Sequence, residues 1–173
     1  MKTIVIYKSG TGFTKQYAKW IHEELDCDIK DLKDVSKQDY IDYERVIYGS
    51  SLMAGKLKSL DEVKKNACKE LIVFGVGLTS QQDSMKIIDK LKNDNLSSQE
   101  QEKIPFFYFE GGIQYDKLGF VQKKMLKMIY KSLLKKENKT EEEIGMMNGL
   151  AQSSDHTDKN NIMPLISLLK KGS

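Results

Sequence analysis

The residues best suited to chemistry are six in a row, Ser9-Gly10-Thr11-Gly12-Phe13-Thr14. Ser9, Thr11 and Thr14 carry hydroxyls that can donate to anionic oxygens, and the two glycines let backbone approach a ligand closely. The apolar run Thr3-Ile4-Val5-Ile6-Tyr7 stands just before them, and a helical pattern opens near Phe13. Strand, small-residue loop and helix start in that order make an anion site. A helix N-terminus leaves backbone N–H groups unpaired and carries the positive end of the helix dipole. The loop lacks the Lys-Ser/Thr ending of a P-loop and the three-glycine spacing of a dinucleotide fold. Leu32 and Lys33 also stand at the end of the second strand, where a dinucleotide fold needs an acidic ribose-binding residue. A phosphate is the expected ligand, and the plain alternative is a Gly/Ser/Thr turn that only joins strand to helix.

The elements that must position this loop can be read from apolar periodicity. The first strand, Lys2 to Tyr7, is apolar almost throughout, as expected for a strand covered on both faces. Phe13, Tyr17, Ala18, Ile21 and Leu25 then fall on one face of a first helix, with Trp20 and His22 read as packing and surface residues. A shorter strand follows at Asp28 to Leu32, then a helical stretch around Gln38 to Asp42 and a third strand, Arg45 to Gly49. Leu60 to Ala67 reads as helix, Glu70 to Gly77 as the fourth strand, and a helix begins at Ser84. The fifth strand is Ile104 to Phe109, with Pro105 near its start, where a missing donor is tolerated. Strand and helix alternate through five strands, which predicts an α/β fold: a doubly wound, five-stranded parallel sheet in three layers. Ligands in such a sheet bind beyond the carboxyl ends of the strands, where the loops after the first, third and fourth strands would meet.

After the fifth strand, Leu118 to Lys136 reads as a basic helical insertion. Leu118, Val121, Met125, Met128, Ile129 and Leu133 are expected on one face, and lysines cover the rest. The acidic run Glu141-Glu142-Glu143, a Gly-Met-Met-Asn-Gly stretch and a polar tract follow and read as a partly ordered excursion. A last helix begins near Asn160, with Pro164 in its first turn and Leu165, Leu168 and Leu169 docking it on the sheet. The expectation is a single domain over residues 1–173, with an insert at about 114–158.

Length and composition set the bounds. With 39% hydrophobic and 31% charged residues in 173, the chain can bury the core of one ordinary globule. No run approaches the roughly 18 to 20 apolar residues of a membrane span, and no signal-peptide pattern precedes the first strand, so a cytoplasmic location is expected. Cys27 and Cys68 lie far apart, with no C-x-x-C and no histidine pair to complete a zinc site; they read as buried free thiols, and no metal is expected. The net charge of +3 is unevenly spread: Lys117 to Lys139 holds eight lysines against Glu137, or +7, which leaves −4 on the rest.

The pattern Ser/Thr-x-Thr-Gly-x-Thr directly after a first strand resembles the phosphate loop of flavodoxins and their relatives, which hold the terminal phosphate of FMN with neutral donors. The order of elements makes the chain look like a flavodoxin-fold protein over nearly its whole length. Gly111-Gly112-Ile113-Gln114-Tyr115, then Leu118 and Lys124-Met125-Leu126-Lys127-Met128-Ile129, is similar to the inserted region of the menaquinone-dependent protoporphyrinogen IX dehydrogenases. Gly49-Ser50-Ser51-Leu52-Met53-Ala54-Gly55 looks like that family's second flavin loop, although Met53-Ala54 replaces its basic-aromatic pair. The resemblance implies FMN as cofactor, with its phosphate at Ser9 to Thr14. Ser50, Ser51, Leu52, Met53, Ala54 and Gly55 would lie on one side of the ribityl chain and ring, Gly77, Leu78 and Thr79 on the other, and Tyr115 at the substrate entrance. Leu52 and Met53 can equally be read as loop anchors.

Two functions follow from this reading. One is an FMN-dependent oxidoreductase passing electrons from a hydrophobic or polycyclic donor to a quinone or another acceptor; no catalytic acid, base or nucleophile is marked, because the flavin carries the redox chemistry. The other is a non-catalytic electron carrier between redox proteins, which the scarcity of acidic charge around the candidate flavin loops disfavours. The partner is accordingly a small molecule or a redox protein. A phospho-receiver domain needs a carboxylate cluster where Lys8-Ser9 and Gly49-Ser50 stand. Nucleic acid is not expected, because the lysines are not interleaved with arginines or exposed aromatics. The basic helix has two readings: peripheral contact with an anionic membrane, or packing on the sheet or on a second copy in a homodimer with its lysines solvated.

Overall fold

A computed structural model describes residues 1–67, 69–139, 144, 147 and 153–171 of the chain. Cys68, the acidic run 141–143 and most of the stretch 145–149 lie outside the described residues.

The chain divides into two compact units, one formed by residues 1–111 with 157–173 and one by residues 112–156. In the first, β1 (Thr3–Lys8) leads into α1 (Phe13–Leu25), β2 (Asp28–Asp31), α2 (Lys37–Asp42) and β3 (Arg45–Met53). A short β4 (Lys56–Leu57), α3 (Leu60–Asn66), β5 (Glu70–Gly77), α4 (Ser84–Asn95), α5 (Ser98–Gln101) and β6 (Phe106–Glu110) follow. The sheet runs β2-β1-β3-β5-β6, all parallel, with β4 paired antiparallel on β3. The strand order therefore reverses between β1 and β3, and a crevice opens at such a point beyond the carboxyl ends.

Alternation along β1 splits the core into two layers. Ile4 and Ile6 join Val46, Tyr48, Val63 and Leu91 under α2, α3 and α4. Val5 and Tyr7 face the other way, onto Tyr17 and Ile21 of α1 and onto the last helix, α7 (Met163–Lys171). Each such fully buried aliphatic side chain contributes about 1.5–3 kcal/mol. Helix α7 docks through Leu165, Ile166 and Leu169, while Leu168 is exposed, so Ile166 takes the place expected of Leu168. At the amino edge of the sheet Arg45 and Glu70 stand opposite each other in register, and Arg45 Nε lies 2.8 Å from Glu70 Oε2, which ties β3 to β5.

The third strand is longer than the apolar run Arg45 to Gly49. It continues to Met53 and turns back through Ala54 and Gly55 into β4. Both turn residues have positive φ, 49° and 79°, as a two-residue hairpin of the primed type demands. The stretch read as an open loop is thus largely hairpin.

In the unit 112–156, β7 (Gly112–Ile113) pairs antiparallel with β8 (Ser154–Asp155), and α6 (Phe120–Leu134) forms in the basic stretch. Leu126 is its buried residue, and with Ile113 it gathers Tyr115, Leu118, Tyr130 and Leu133. Val121 and Met128, expected on the packed face, are exposed. Tyr115, expected at an entrance, packs in this small cluster.

Candidate functional site

Parallel register brings the ends of three strands to the same edge of the sheet. Lys8 lies opposite Ser50, Ser50 opposite Gly75, and Gly77 opposite Glu110, so β1 ends level with Ser50 and Gly75 while β3 and β5 run on past it to Met53 and Gly77. Gly111 links the ends. A Cβ there would stand 2.7 Å from Val76 Cγ1, 3.3 Å from the Gly77 carbonyl and 3.7 Å from Phe13 Cβ, which sets the start of α1 beside the end of β5.

The first loop is built as a cradle. Gly12 is the N-cap of α1 with φ 109°, a conformation that strains any residue with a side chain, and its N–H donates to Ser9 Oγ at 3.1 Å. Gln16 N–H to Gly12 O, at 3.0 Å, is the first bond of the helix. The amides of Phe13, Thr14 and Lys15 precede it, no side chain caps them, and no acid stands in the first turn. By contrast, α2 and α5 close their first turns with capping boxes, Ser36 with Asp39 and Ser97 with Glu100.

Two further observations fit an anion there. Thr14 is 1% exposed, yet its hydroxyl meets no hydrogen-bond partner among the described residues. A Cβ on Gly10 would meet nothing within 4 Å, so no neighbouring protein atom excludes a side chain at that position. The lysine next to the loop does not supply its charge: Lys8 Nζ donates to Ser59 Oγ at 2.8 Å. The donor set is neutral hydroxyls and backbone amides, which suits a phosphate bound at a helix N-terminus.

The second loop divides in two. Ser50 is fully buried, and its hydroxyl accepts from Lys58 N–H at 2.9 Å and donates to the Ser51 carbonyl at 3.2 Å, so it closes the hairpin. Leu52 leans over β5, 3.1 Å from where a Cβ of Gly75 would stand and 3.3 Å from that of Gly77. Ala54 and Gly55 do not join the first loop. The Gly55 carbonyl accepts from Asn95 Nδ2 at 2.7 Å, and Leu57 N–H donates to Asn95 Oδ1 at 2.7 Å, which pins the turn to the last turn of α4. Ser51, Leu52 and Met53 remain on the sheet side.

The third loop is held from β6. Tyr108 donates its hydroxyl to the Thr79 carbonyl at 2.7 Å, and burial pushes that phenol well above its ordinary range. Gln81 N–H donates to Glu110 Oε2 at 2.7 Å, while Glu110 N–H donates to Gln81 Oε1 at 3.1 Å. Leu78, just before these anchors, is 51% exposed. Below them, Tyr17 donates its hydroxyl to the Glu110 carbonyl and accepts from Asp158 N–H and Asn161 Nδ2 at 3.2 and 3.1 Å. The periodicity assigned Tyr17 to the core and gave no role to Gln81 or Glu110. A polar partner for a buried tyrosine is legible in principle, but its identity is a long-range matter.

Across residues 4–141 the chain matches the model of the family described as Flavodoxin domain. The chain belongs to that family. A flavodoxin domain takes FMN as its cofactor, and the open cradle at Ser9 to Thr14 has the donors its phosphate requires. Over 171 residues this flavodoxin domain is 29% identical to the flavodoxin-like domain-containing protein BilS of Clostridioides difficile (strain CD3), covering 94% of this chain and 90% of that one. Among solved structures it is similar to a flavodoxin from the domain Archaea, at 21% identity over 62% of this chain and 85% of that chain, with a TM-score of 0.41. It is also similar to oxidised flavodoxin 2 from Bacillus cereus, at 19% identity over 67% and 90% of the two chains, TM-score 0.41.

Among the described residues no three His, Cys, Asp or Glu side chains gather as metal ligands, and no helix is long and apolar enough to cross a membrane. Burial, with Asp28 and Asp26 nearby, raises the Cys27 thiol to about 11, so it stays protonated at neutral pH.

Proposed function

We propose that this flavodoxin domain is an FMN oxidoreductase that takes electrons from a hydrophobic or polycyclic donor and passes them to a quinone or another acceptor. That is the role implied by the likeness of Gly111 to Tyr115 and the following basic helix to the menaquinone-dependent protoporphyrinogen IX dehydrogenases. Bound FMN supplies the electron exchange at its ring. The chain's own part is to hold and enclose it. Ser9, Thr11 and Thr14 and the first amides of α1 take the phosphate, Leu52 and Met53 give one apolar wall, and Gly77, Leu78 and Thr79 give the other.

The observation that carries the reading is the apolar character of the edge after β5. Leu78 is 51% and Met85 78% exposed, while the acids beside them are engaged: Asp83 pairs with Lys86 at 2.7 Å, and Glu110 accepts from Gln81. An apolar rim favours a hydrophobic organic partner, whereas a carrier that docks on basic proteins gains rate from an acidic one. Saturable reduction of a hydrophobic quinone by the purified holoprotein with a defined donor supports the enzyme. In that assay Met85→Ser should raise KM and leave the bound-flavin spectrum unchanged. Electron transfer to protein partners alone, with no saturable quinone reduction, replaces this reading with the carrier.

A further inference from the structure

Helix α6 divides its surface into three stripes rather than two. One stripe packs, through Leu126, Tyr130 and Leu133. A second is apolar and faces solvent: Val121 is 71% and Met128 63% exposed, with the half-buried Met125 and the exposed Ile129 between and beside them at helical spacing. The third is basic. Lys124, Lys127 and Lys131 follow one another at three- and four-residue steps, Lys123 lies at its edge, and Phe120, 82% exposed, stands at its head.

Water alone does not account for this surface. A solvated helix gains about 0.2–0.5 kcal/mol from each i,i+4 pair of opposite charges. Helix α6 contains no acid, and none of Lys123, Lys124, Lys127 and Lys131 forms an ion pair among the described residues. The apolar stripe is not consumed by packing either, because the packed cluster uses different residues. An anionic partner with an apolar interior satisfies both stripes.

We propose that α6 lies in the surface of an anionic lipid bilayer, with Val121, Met125, Met128 and Ile129 toward the acyl chains and the lysines among the headgroups. Lysine in place of arginine favours this occupant over an acidic protein. The chain's one arginine, Arg45, is in β3, whereas protein interfaces enrich arginine, which grips carboxylates with its planar fork, and deplete lysine. Lysine acts as a compact charge on a long apolar stem, which suits a diffuse anionic surface and lets the ammonium reach the headgroups. Fifteen residues give a rod roughly 22 Å long, enough to lie along an interface and too short to span one.

Sedimentation of the holoprotein with phosphatidylcholine vesicles, alone and mixed with phosphatidylserine, tests the proposal. Pelleting is expected with the anionic vesicles at low salt, falling as salt is added, and not with phosphatidylcholine alone. Changing Lys123, Lys124, Lys127 and Lys131 to Gln should weaken binding by about fivefold per lysine. Val121→Ser with Met128→Ser should weaken it with the charges intact. These side chains are solvent-facing, so an unchanged flavin spectrum confirms a folded domain in each variant. Absence of pelleting at low salt, or pelleting that the lysine variant retains in full, overturns the proposal. Retention on immobilised polyglutamate without vesicle binding overturns it in favour of an acidic polypeptide.

Discussion

Replacing Thr14 by Val separates a ligand-binding role from a structural one. Thr14 is 1% exposed, and its hydroxyl has no hydrogen-bond partner among the described residues, so the apoprotein loses no internal bond when the hydroxyl becomes a methyl group. The melting temperature of apo Thr14→Val should therefore hold or rise, the gain being at most about 1 kcal/mol. Binding should respond in the opposite direction. A hydrogen bond to a charged oxygen is worth roughly 1.5–3 kcal/mol, which is about 10- to 150-fold in Kd for FMN. Riboflavin offers the same ring without the phosphate, and its affinity should not change. Calorimetric titration of apoprotein with both ligands, alongside apo melting curves, gives all three quantities. The double variant Thr11→Ala with Thr14→Ala should lose more, though less than the sum, since neighbouring donors on one ligand group are coupled. An unchanged FMN Kd, or equal losses for FMN and riboflavin, would refute the placement of the phosphate at the start of α1.

Two further outcomes concern the scaffold. Tyr17→Phe removes the donor to the Glu110 carbonyl and the acceptor for Asp158 N–H and Asn161, and should destabilise the fold by about 2–4 kcal/mol in chemical unfolding. Asp39 is held down to about 2, first by Lys30 at 2.6 Å and then by the Ser36 amide. Because its folded value lies below the unfolded one, this stability is full above about pH 4 and lost as pH falls toward 2. With Lys30 40% exposed, the pair contributes about 1–2 kcal/mol, so the unfolding midpoints of wild type and Asp39→Asn should converge across that window.

The doubly wound sheet was legible because β1, β3 and β5 are covered on both faces, which writes them as unbroken apolar runs. The local form of Ser9 to Thr14 was legible for a similar reason, since it lies within one strand-to-helix turn and needs no distant partner to form. What failed was long-range. The hairpin at Leu52 to Leu57 places Ala54 at positive φ, where Asn or Gly is the usual signal, and it is fixed by Asn95, 40 residues from Gly55. Helix α6 carries apolar residues around more than one face, so periodicity found a stripe without deciding which one packs. Only the pairing of β7 with β8 and the cluster around Leu126 select Tyr130 and Leu133 over Val121 and Met128. In α7 the same ambiguity exchanged Ile166 for Leu168.

Positive charge is therefore deployed in two physically different ways in this chain. At Ser9 to Thr14 it is a partial charge, carried by backbone amides at a helix end and reinforced by neutral hydroxyls, with the adjacent Lys8 turned to Ser59. On α6 it is a row of full charges on solvated side chains. The two respond differently to salt. Hydrogen bonds and a dipole acting over about 3 Å at a largely buried Thr14 lie well inside a Debye length of about 8 Å at physiological ionic strength, whereas exposed lysines facing a diffuse anionic surface are screened by it. Over the same rise in salt, FMN affinity should change little while vesicle binding collapses. A parallel collapse of FMN affinity would mean that side-chain cations hold the phosphate after all, and that the neutral cradle has been misassigned.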